Sequence, residues 1–442
     1  MSADEAERHS RIRRRLETSF WLIPAAFLVL GIALAIVLPL ADETVDPNIG
    51  ISYTSSAAIE VLSAIAAGMI AFTGFVFAIV ILLVQFGSSQ YSPRLLRSFI
   101  ADPVPKIAIG SFVATFTYSL LVLAGIGTED DPGFVPNLSV TIAIVLVAAS
   151  IFVFLWLINH VYQQLRVGNV VRWVAAAGKR AIDAIYPEPI GEVGAETWSA
   201  SVEELGQPTL VLEHVADQGI LQLANRKQLV SLASDADVVI ALVPAVGDSV
   251  PTGAPLFFVY GEAEVDAHAL RASLEFGIER TIEGDPAQAF RWLVDIAIKA
   301  LSSAINDPST ALQAIDQIED LLHRVSMRRI AAGEISDPSG TLRLVYRRPS
   351  WEDFVDLSMT EIRRDGAGSV QVERRLRALL LDLLEVAPTR RRAALEDQLA
   401  RLDESVKQTY SENERPVAEI PDYQGIGSRR VAGRRRIADR PE

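Results

Sequence analysis

The side chains best suited to contact a solute or ion lie at the end of a long uncharged run. No charged residue occurs between Glu60 and Arg94, and the run ends in two amides and two serines. Neutral dipoles of this kind can replace the hydration of a permeating ion without trapping it. The sequence therefore predicts a neutral polar collar at the inner mouth of a pore, formed by Gln85, Ser88, Ser89 and Gln90. Alternatively, these side chains hydrogen-bond neighbouring helices or interfacial water.

Small residues repeat at helical spacing within the same run. They are separated by four, four, three and four positions, which places them on one face of a helix: Ser63, Ala67, Ala71, Gly74 and Ala78. In a membrane, small side chains let helices approach closely. The pattern indicates either ordinary packing inside one bundle or a seam that is shared between subunits or faces a pore.

A second polar set lies near the middle of the C-terminal half. Its members follow a helical period and end at an Asp-Pro pair, in which Asp307 is the expected N-cap of the next helix and Pro308 its first residue. Two interpretations remain open. The set is either a solvated helix face and a helix–turn–helix joint, or a site for a small ligand or ion built from Asp295, Lys299, Asn306 and Asp307.

Several kinds of chemistry are disfavoured. The chain has no cysteine, and its five histidines are widely scattered, so neither a thiolate nor a histidine metal site is predicted. Walker, dinucleotide-binding and zinc-protease motifs do not occur. We predict no catalytic residue, cofactor or metal. The net charge of −14 disfavours nucleic-acid binding.

The elements that must carry the polar collar are membrane helices. Four uncharged stretches approach or exceed the roughly 20 residues needed to cross a bilayer, near residues 20–40, 61–86, 107–126 and 138–158. Their interiors hold no ionisable residue, which disfavours a charge-coupled transporter. The lipid bilayer is therefore an expected partner of this chain.

Charge placement predicts the orientation of these helices. Basic residues lie in the head "RIRRR", in the link between the second and third stretches, and after the fourth. The other two loops, "ADETVDPN" and "TEDDPGF", contain acids and no Lys or Arg. Because positive loops stay on the cytoplasmic side, both termini should be cytoplasmic.

The rest of the chain predicts a cytoplasmic α+β domain. The turn "VGDSVPTGAPLFFV" resembles that of barrel-sandwich folds, and "RTIEGDPAQAFRWLVDIAIKALSSAINDPSTA" is helical. The expected segments are a basic head (1–19), a four-helix transmembrane domain (20–164), a connecting helix and linker (165–200), a small β-barrel-like module (201–264), a helical domain (265–410) and a disordered basic tail (411–442).

Three blocks carry a family resemblance. They are "SSQYSPRLLRSFIAD", the segment "QGILQL" to "VGDSVPTGAPL", and the helical block beginning "RTIEGD". Over roughly residues 15–385 the chain resembles an uncharacterised family of bacterial predicted membrane proteins. The resemblance implies four transmembrane helices in the inner membrane of a bacterium and a C-terminal cytoplasmic domain, and it implies no activity.

Two functions fit these features. The first is a homo-oligomeric channel or channel-like conductor, lined by the second membrane helix and carrying a cytoplasmic vestibule or regulatory domain. The second is a membrane-anchored sensor or scaffold without transport activity. An enzyme is disfavoured, because no pair of carboxylates or other catalytic constellation stands out.

Overall fold

The computed structural model describes residues 21–42, 52–90, 102–126, 135–164, 166–190, 205–330 and 333–423. The chain divides into two compact units, here called the membrane unit (Met1–Asn169) and the C-terminal unit (Val170–Glu442). This division is simpler than the six predicted segments.

The membrane unit contains the four expected helices. Within the described residues, four helices are long and apolar enough to cross a membrane: α1 (Leu22–Asp42), α2 (Ser55–Gln90), α3 (Pro103–Ala124) and α4 (Asn137–Gln164). A bilayer requires about 20 residues, so α2 and α4 are longer than one crossing needs. The predicted four-helix membrane part is confirmed.

Close approach and aromatic packing hold this bundle together. A methyl group on Gly31 of α1 would stand 2.7 Å from the carbonyl oxygen of Ala114 in α3, so a larger residue would separate the two helices. Phe72 of α2 packs edge-on against Phe112 of α3 and Phe154 of α4, with ring centroids 5.2 Å and 4.6 Å apart. The aromatic contacts join α2, α3 and α4, and the close approach at Gly31 adds α1.

Polar residues close the bundle where α1 ends and α4 begins. The carboxylate of Asp42 accepts the backbone N–H groups of Leu138 and Ser139 at 2.8 Å and 2.9 Å. It also accepts the Ser139 hydroxyl at 2.7 Å. Asp42 thus satisfies N–H groups that a helix start leaves without partners.

Two helices extend beyond their uncharged runs and so include charged residues. Helix α2 begins at Ser55 and contains Glu60, and α3 begins at Pro103 and contains the buried Lys106. The boundaries predicted from apolar runs missed both, because a helix continues past the residue at which hydropathy falls. Between these helices, Ser92 before Pro93 predicts the start of a short helix, "PRLLRSFI", but this segment lies outside the described residues.

The strands of the C-terminal unit form two sheets. One has five strands in the order β1-β5-β3-β8-β7, and the other has three in the order β4-β2-β6. The strands are β1 (Leu210–Glu213), β2 (Gly219–Ala224), β3 (Val239–Leu242), β4 (Ser249–Val250), β5 (Pro255–Tyr260), β6 (Leu274–Gly277), β7 (Glu334–Ser336) and β8 (Leu342–Tyr346).

The described strands do not form the closed barrel that a β-barrel-like module would have. In the turn that resembles those of barrel-sandwich folds, Gly247 and Gly253 have φ angles of 97° and 81°, and Val250 and Leu256 are buried. However, β3 pairs in parallel with β8, which comes about 100 residues later in the chain. A partner so distant in sequence fills the edge through which a local barrel would close.

Helices make up the rest of this unit. They are α5 (Val167–Ile185, continuing from the end of the membrane unit), α6 (Arg226–Asp235), α7 (Ala267–Ala272), α8 (Ala287–Leu301), α9 (Pro308–Ser326), α10 (Trp351–Asp365), α11 (Val370–Val386), α12 (Thr389–Thr409) and α13 (Arg415–Ala418). A capping box formed by Ser350 and Asp353 starts α10, and Pro388 separates α11 from α12. The predicted α+β fold class of the C-terminal part is confirmed.

The segment after α12 differs from its prediction. Residues 411–423 were expected to be disordered, yet Ala418 is fully buried. The backbone N–H of Asp422 donates to the carbonyl of Arg374 at 3.1 Å, and Arg374 Nε donates to the carbonyl of Ile420 at 2.8 Å. The polar composition of this segment did not predict its order, because two hydrogen bonds and one buried side chain are enough to fix a short segment.

Candidate functional site

The predicted small-residue seam of α2 faces away from its own bundle. Ser63, Ala67, Ala71, Gly74 and Ala78 are all exposed. The opposite face packs inward, where Leu62 and Val76 are completely buried. The seam is therefore not used for packing within the bundle of a single chain.

Polar residues occupy both ends of this outward face. Glu60 precedes Ala67 by seven positions, and Ala67, Ala71, Ala78 and Gln85 follow at steps of four, seven and seven. These steps correspond to whole turns of an α-helix, and both Glu60 and Gln85 are exposed. One face of α2 thus carries a carboxylate, a row of small residues and an amide.

The rest of the predicted collar lies in the last turn of α2. The helix ends at Gln90, so Ser88 and Ser89 belong to it as well. The side chains of these three residues lie outside the described part of the structure. Gln85 is therefore the collar residue whose exposure is established.

The predicted ligand joint contains structural contacts. Asp295 pairs with Arg291 at 2.5 Å, and Arg291 also binds both carboxylate oxygens of Glu361, at 2.5 Å and 2.7 Å. Asp307 caps α9 by accepting the N–H and hydroxyl of Thr310 at 3.2 Å and 2.5 Å.

The turn between the two helices explains the remaining polar residues of this joint. Asn306 is exposed and adopts a left-handed φ of 48°, which asparagine tolerates better than most residues. Lys299 lies in the last turn of α8, where a cation is favourable. These contacts give the joint a role in connecting α8 to α9.

A cleft in the C-terminal unit was not predicted. Its volume is about 90 Å³, and it is partly open to solvent. Its apolar lining includes Ile185, Leu223, Leu242, Val246, Pro286 and Pro349. Its polar lining includes Tyr186, Arg226, Glu283, Asp285, Tyr346, Arg347 and Arg348. Ligand sites typically combine an apolar wall with a few converging polar groups in this way.

Two arginines converge on one tyrosine in this cleft. Arg226 Nη1 donates to the hydroxyl of Tyr346 at 3.2 Å, and Arg348 Nη2 donates to the same oxygen. Both guanidinium groups also lie over the Tyr346 ring, 5.4 Å and 5.0 Å from its centroid. Arg348 lies over the Tyr186 ring as well, at 5.4 Å. The two positive charges are therefore held close together by aromatic side chains.

Local structure positions each of these residues. Arg226 is the first residue of α6, whose N-cap Asn225 accepts the N–H of Gln228 at 3.2 Å. Tyr346 ends β8, and the chain turns there toward α10. Tyr186 follows α5 and is buried, and burial raises the pKa of its hydroxyl well above the usual value, so it stays protonated.

An acid lies on the same lining. Burial raises the pKa of Asp285 to about 6, although Oδ1 accepts the N–H of Ala287 at 2.9 Å, which favours the charged form. The described residues contain no cluster of three or more His, Asp or Glu that could hold a metal ion. With three arginines against two acids, the lining of the cleft is better suited to an anion than to a cation.

Comparison with known proteins decides the family. The family model described as "Predicted membrane protein (DUF2254)" matches residues 17–382, most of the chain. This chain belongs to that family. The match confirms the resemblance inferred from three sequence blocks, and the family description agrees with the four apolar helices.

Mycobacterial relatives of this DUF2254 protein are similar along most of their length. The uncharacterized proteins Rv1290c of Mycobacterium tuberculosis H37Rv and Mb1321c of Mycobacterium bovis are each 28% identical over 426 residues. The alignment covers 92% of this chain and 79% of each relative. No solved structure matches the chain.

The sequence contained only a weak signal for the cleft. The motif "VYRRPSW" places Tyr346, Arg347 and Arg348 together after a strand, a pattern that could have marked a cationic site. Arg226 and Tyr186, in contrast, come from distant segments. Their proximity to that motif follows from the pairing of β3 with β8, which no local pattern predicts.

Proposed function

We propose that this protein is a homo-oligomeric membrane channel in which the outward face of α2 lines the conduction path. The observation that carries the proposal is the exposure of Glu60, the small-residue seam and Gln85 on one face of one membrane helix. Small residues bring helices together in lipid, and polar groups at both ends of their row supply ligands to a permeating ion.

A contrast with α4 supports this assignment. The outward face of α4 is rich in large apolar side chains such as Phe152, Leu155 and Trp156, which are 75%, 57% and 46% exposed. Such side chains suit contact with lipid tails. Helix α2 also exposes large apolar side chains such as Phe75 and Leu82, which are 56% and 50% exposed, but its row of small residues leaves room between them for a second helix or for water.

The acid on this face indicates the charge of the permeant ion. Glu60 contributes one carboxylate per subunit, and an oligomer would arrange these groups as a ring at one end of the path. Acidic rings favour cations in membrane channels. Gln85 at the other end is neutral. We therefore propose that the channel prefers cations.

Flux through reconstituted vesicles tests the proposal. The purified full-length protein should release a potassium gradient, read by a voltage-sensitive dye. Replacing Ala71 by leucine should abolish this flux by filling the path, and replacing Gln85 by leucine should reduce it strongly. The matched control is Ala148→Leu, which adds the same side chain at an exposed alanine of α4.

Two outcomes would contradict the channel. One is a monomeric wild-type protein in mild detergent that releases no gradient after reconstitution. The other is equal loss of flux in Ala71→Leu and Ala148→Leu, because the effect would then come from disturbed lipid packing rather than from a blocked path.

The second candidate is a membrane-anchored sensor, and the cleft of the C-terminal unit favours it. In that case the helices hold the cleft at a membrane surface and conduct nothing. Ligand binding without flux would support the sensor. Flux that stops in Ala71→Leu would support the channel.

We also propose that both termini lie in the cytoplasm, with the membrane unit in the inner membrane. The loop containing Asp130 is acidic and lacks Lys and Arg, as loops on the far side usually are. The native chain has no cysteine, so a cysteine introduced at position 130 is the single thiol. It should react with an impermeant maleimide in intact cells. Reaction only after lysis would reverse the proposed orientation.

A further inference from the structure

Two arginines of the cleft have no ion-pair partner among the described residues. Arg226 and Arg348 both donate to the Tyr346 hydroxyl, and neither forms an ion pair with an acid in the described ranges. Elsewhere in the same unit, Arg291, Arg343 and Arg375 each pair with carboxylates. Two like charges held together without a counter-charge repel each other, so a bound anion would stabilise them.

Hydrogen-bond donors in the cleft also lack acceptors. Nε of Arg348 is buried and makes no hydrogen bond within the described residues. The Tyr346 hydroxyl accepts from both arginines, and because arginine cannot accept, neither bond uses the proton of that hydroxyl. An oxyanion placed beside these groups would receive donors from two guanidinium forks and one hydroxyl.

We infer that this cleft binds a phosphate monoester, with the phosphate group on Arg226, Arg348 and Tyr346 and its organic part against the apolar wall. Guanidinium forks match phosphate oxygens in geometry, and two of them match its double negative charge. The apolar wall, which includes Leu242 and Val246, can pack against an organic group larger than phosphate itself. This site does not depend on the channel proposal.

The acids on the lining do not cancel this positive charge. Arg226, Arg347 and Arg348 outnumber Glu283 and Asp285 among the lining residues. Oδ1 of Asp285 is engaged by the N–H of Ala287, and Glu283 is exposed. Arg280 donates to the carbonyl of Gly247 at 2.7 Å and lies close enough to Asp285 to offset part of its charge. The lining as a whole therefore stays positive.

Calorimetric titration of the full-length protein in phosphatidylcholine nanodiscs tests the inference. The probes are inorganic phosphate, glycerol 3-phosphate and, as a monoanionic control, acetate. Phosphate and glycerol 3-phosphate should bind, the latter more tightly, and acetate should not. Arg226→Gln and Arg348→Gln should each weaken binding by about tenfold or more, since each removes a charged hydrogen bond. The matched control is Arg364→Gln, an exposed arginine outside the cleft.

Two further variants keep the test decisive if a glutamine variant fails to fold. Arg348→Lys keeps the charge but loses the fork, and Tyr346→Phe removes the shared hydroxyl. Both should weaken phosphate binding severalfold. Wild-type affinity in both would overturn the site, as would the absence of phosphate binding or equal losses in Arg364→Gln.

The phosphate monoester could be soluble or part of a lipid headgroup. Nanodiscs that also contain phosphatidic acid distinguish the two sources. If the cleft accepts the lipid, the apparent affinity for glycerol 3-phosphate should fall in these discs, and Arg348→Gln should abolish that difference. Unchanged affinity identifies the soluble ester as the ligand. Both results support a phosphate site, whereas a fall that persists in Arg348→Gln would contradict the assignment of the lipid to this cleft.

Discussion

Two regions of the C-terminal unit use arginine in opposite ways. Among the helices, Arg375 is 5% exposed, and its Nε donates to Asp316 at 2.7 Å while Nη2 contacts Glu319. In the cleft, Arg226 and Arg348 both donate to the hydroxyl of Tyr346 instead of to a carboxylate, and their positive charges repel each other. Arg375 uses its donors on two acids and so holds helices together, whereas the two cleft arginines retain charge and donors for a ligand.

The membrane unit shows a parallel contrast between two outward faces. Large apolar side chains dominate that of α4, as in Phe152 and Leu155. The outward face of α2 also carries large apolar side chains such as Phe75, but a row of small residues with a polar group at each end runs along it from Glu60 to Gln85. In both units, polar groups that the fold does not use for its own packing mark the candidate functional surface.

The largest effect on stability is expected at a paired arginine. Arg375→Ala leaves Asp316 and Glu319 without their shared cation, and the loss should be about 3 kcal/mol, the low end of the range for breaking a buried pair, because Asp316 is half exposed. Urea unfolding of the detergent-solubilised full chain measures it. Arg364→Ala, at an exposed arginine, should change the unfolding free energy by less than about 1 kcal/mol. Similar losses of unfolding free energy in both variants would contradict the structural role assigned to Arg375.

Asp285 should make stability depend on pH. Burial raises its folded-state pKa to about 6, above the unfolded value near 3.8, so the native state binds the proton more tightly. Its ionised form therefore opposes folding above pH 6, and this penalty disappears as the pH falls from about 6 to about 4.

Asp285→Asn keeps a side-chain acceptor for the N–H of Ala287 and removes the charge. It should raise the unfolding free energy by on the order of 1–3 kcal/mol at pH 7 and by little at pH 4. Equal effects at both pH values would contradict the assignment.

The smallest effect on stability is expected in the cleft. Arg348→Gln loses contacts with two aromatic rings but also relieves repulsion with Arg226, so the unfolding free energy should change by less than about 1 kcal/mol. Urea unfolding under the conditions used for Arg375→Ala gives a direct comparison. A loss as large as that of Arg375→Ala would show that this arginine is structural.

Local sequence patterns predicted the elements well. Uncharged runs located all four membrane helices, and Asp307 marked a helix start that the structure confirms. These features depend on neighbours within a few residues, which a sequence displays directly. Glu60 was missed because hydropathy places the start of a membrane segment at the first apolar residue rather than at the start of the helix.

The cleft could not be predicted from the sequence, because it depends on pairing between segments that are distant in the chain. The cleft brings together Tyr186, Arg226, Tyr346 and Arg348, which belong to four separate elements or connections. Their proximity depends on the parallel pairing of Ile240 with Leu344 and on the packing of α6. Likewise, spacing identified the seam of α2 but could not say which way it faces, because that depends on where the other helices pack.

Water access along α2 tests the central claim most directly. Ala71→Cys and Ala148→Cys each introduce the single thiol of the chain, at exposed alanines of α2 and α4. Each full-length variant is reconstituted into vesicles and treated with a charged methanethiosulfonate reagent. If α2 lines a conduction path, position 71 reacts rapidly and flux stops, while position 148 stays unmodified in lipid. Protection of position 71, or equal reaction at both positions, would contradict the account.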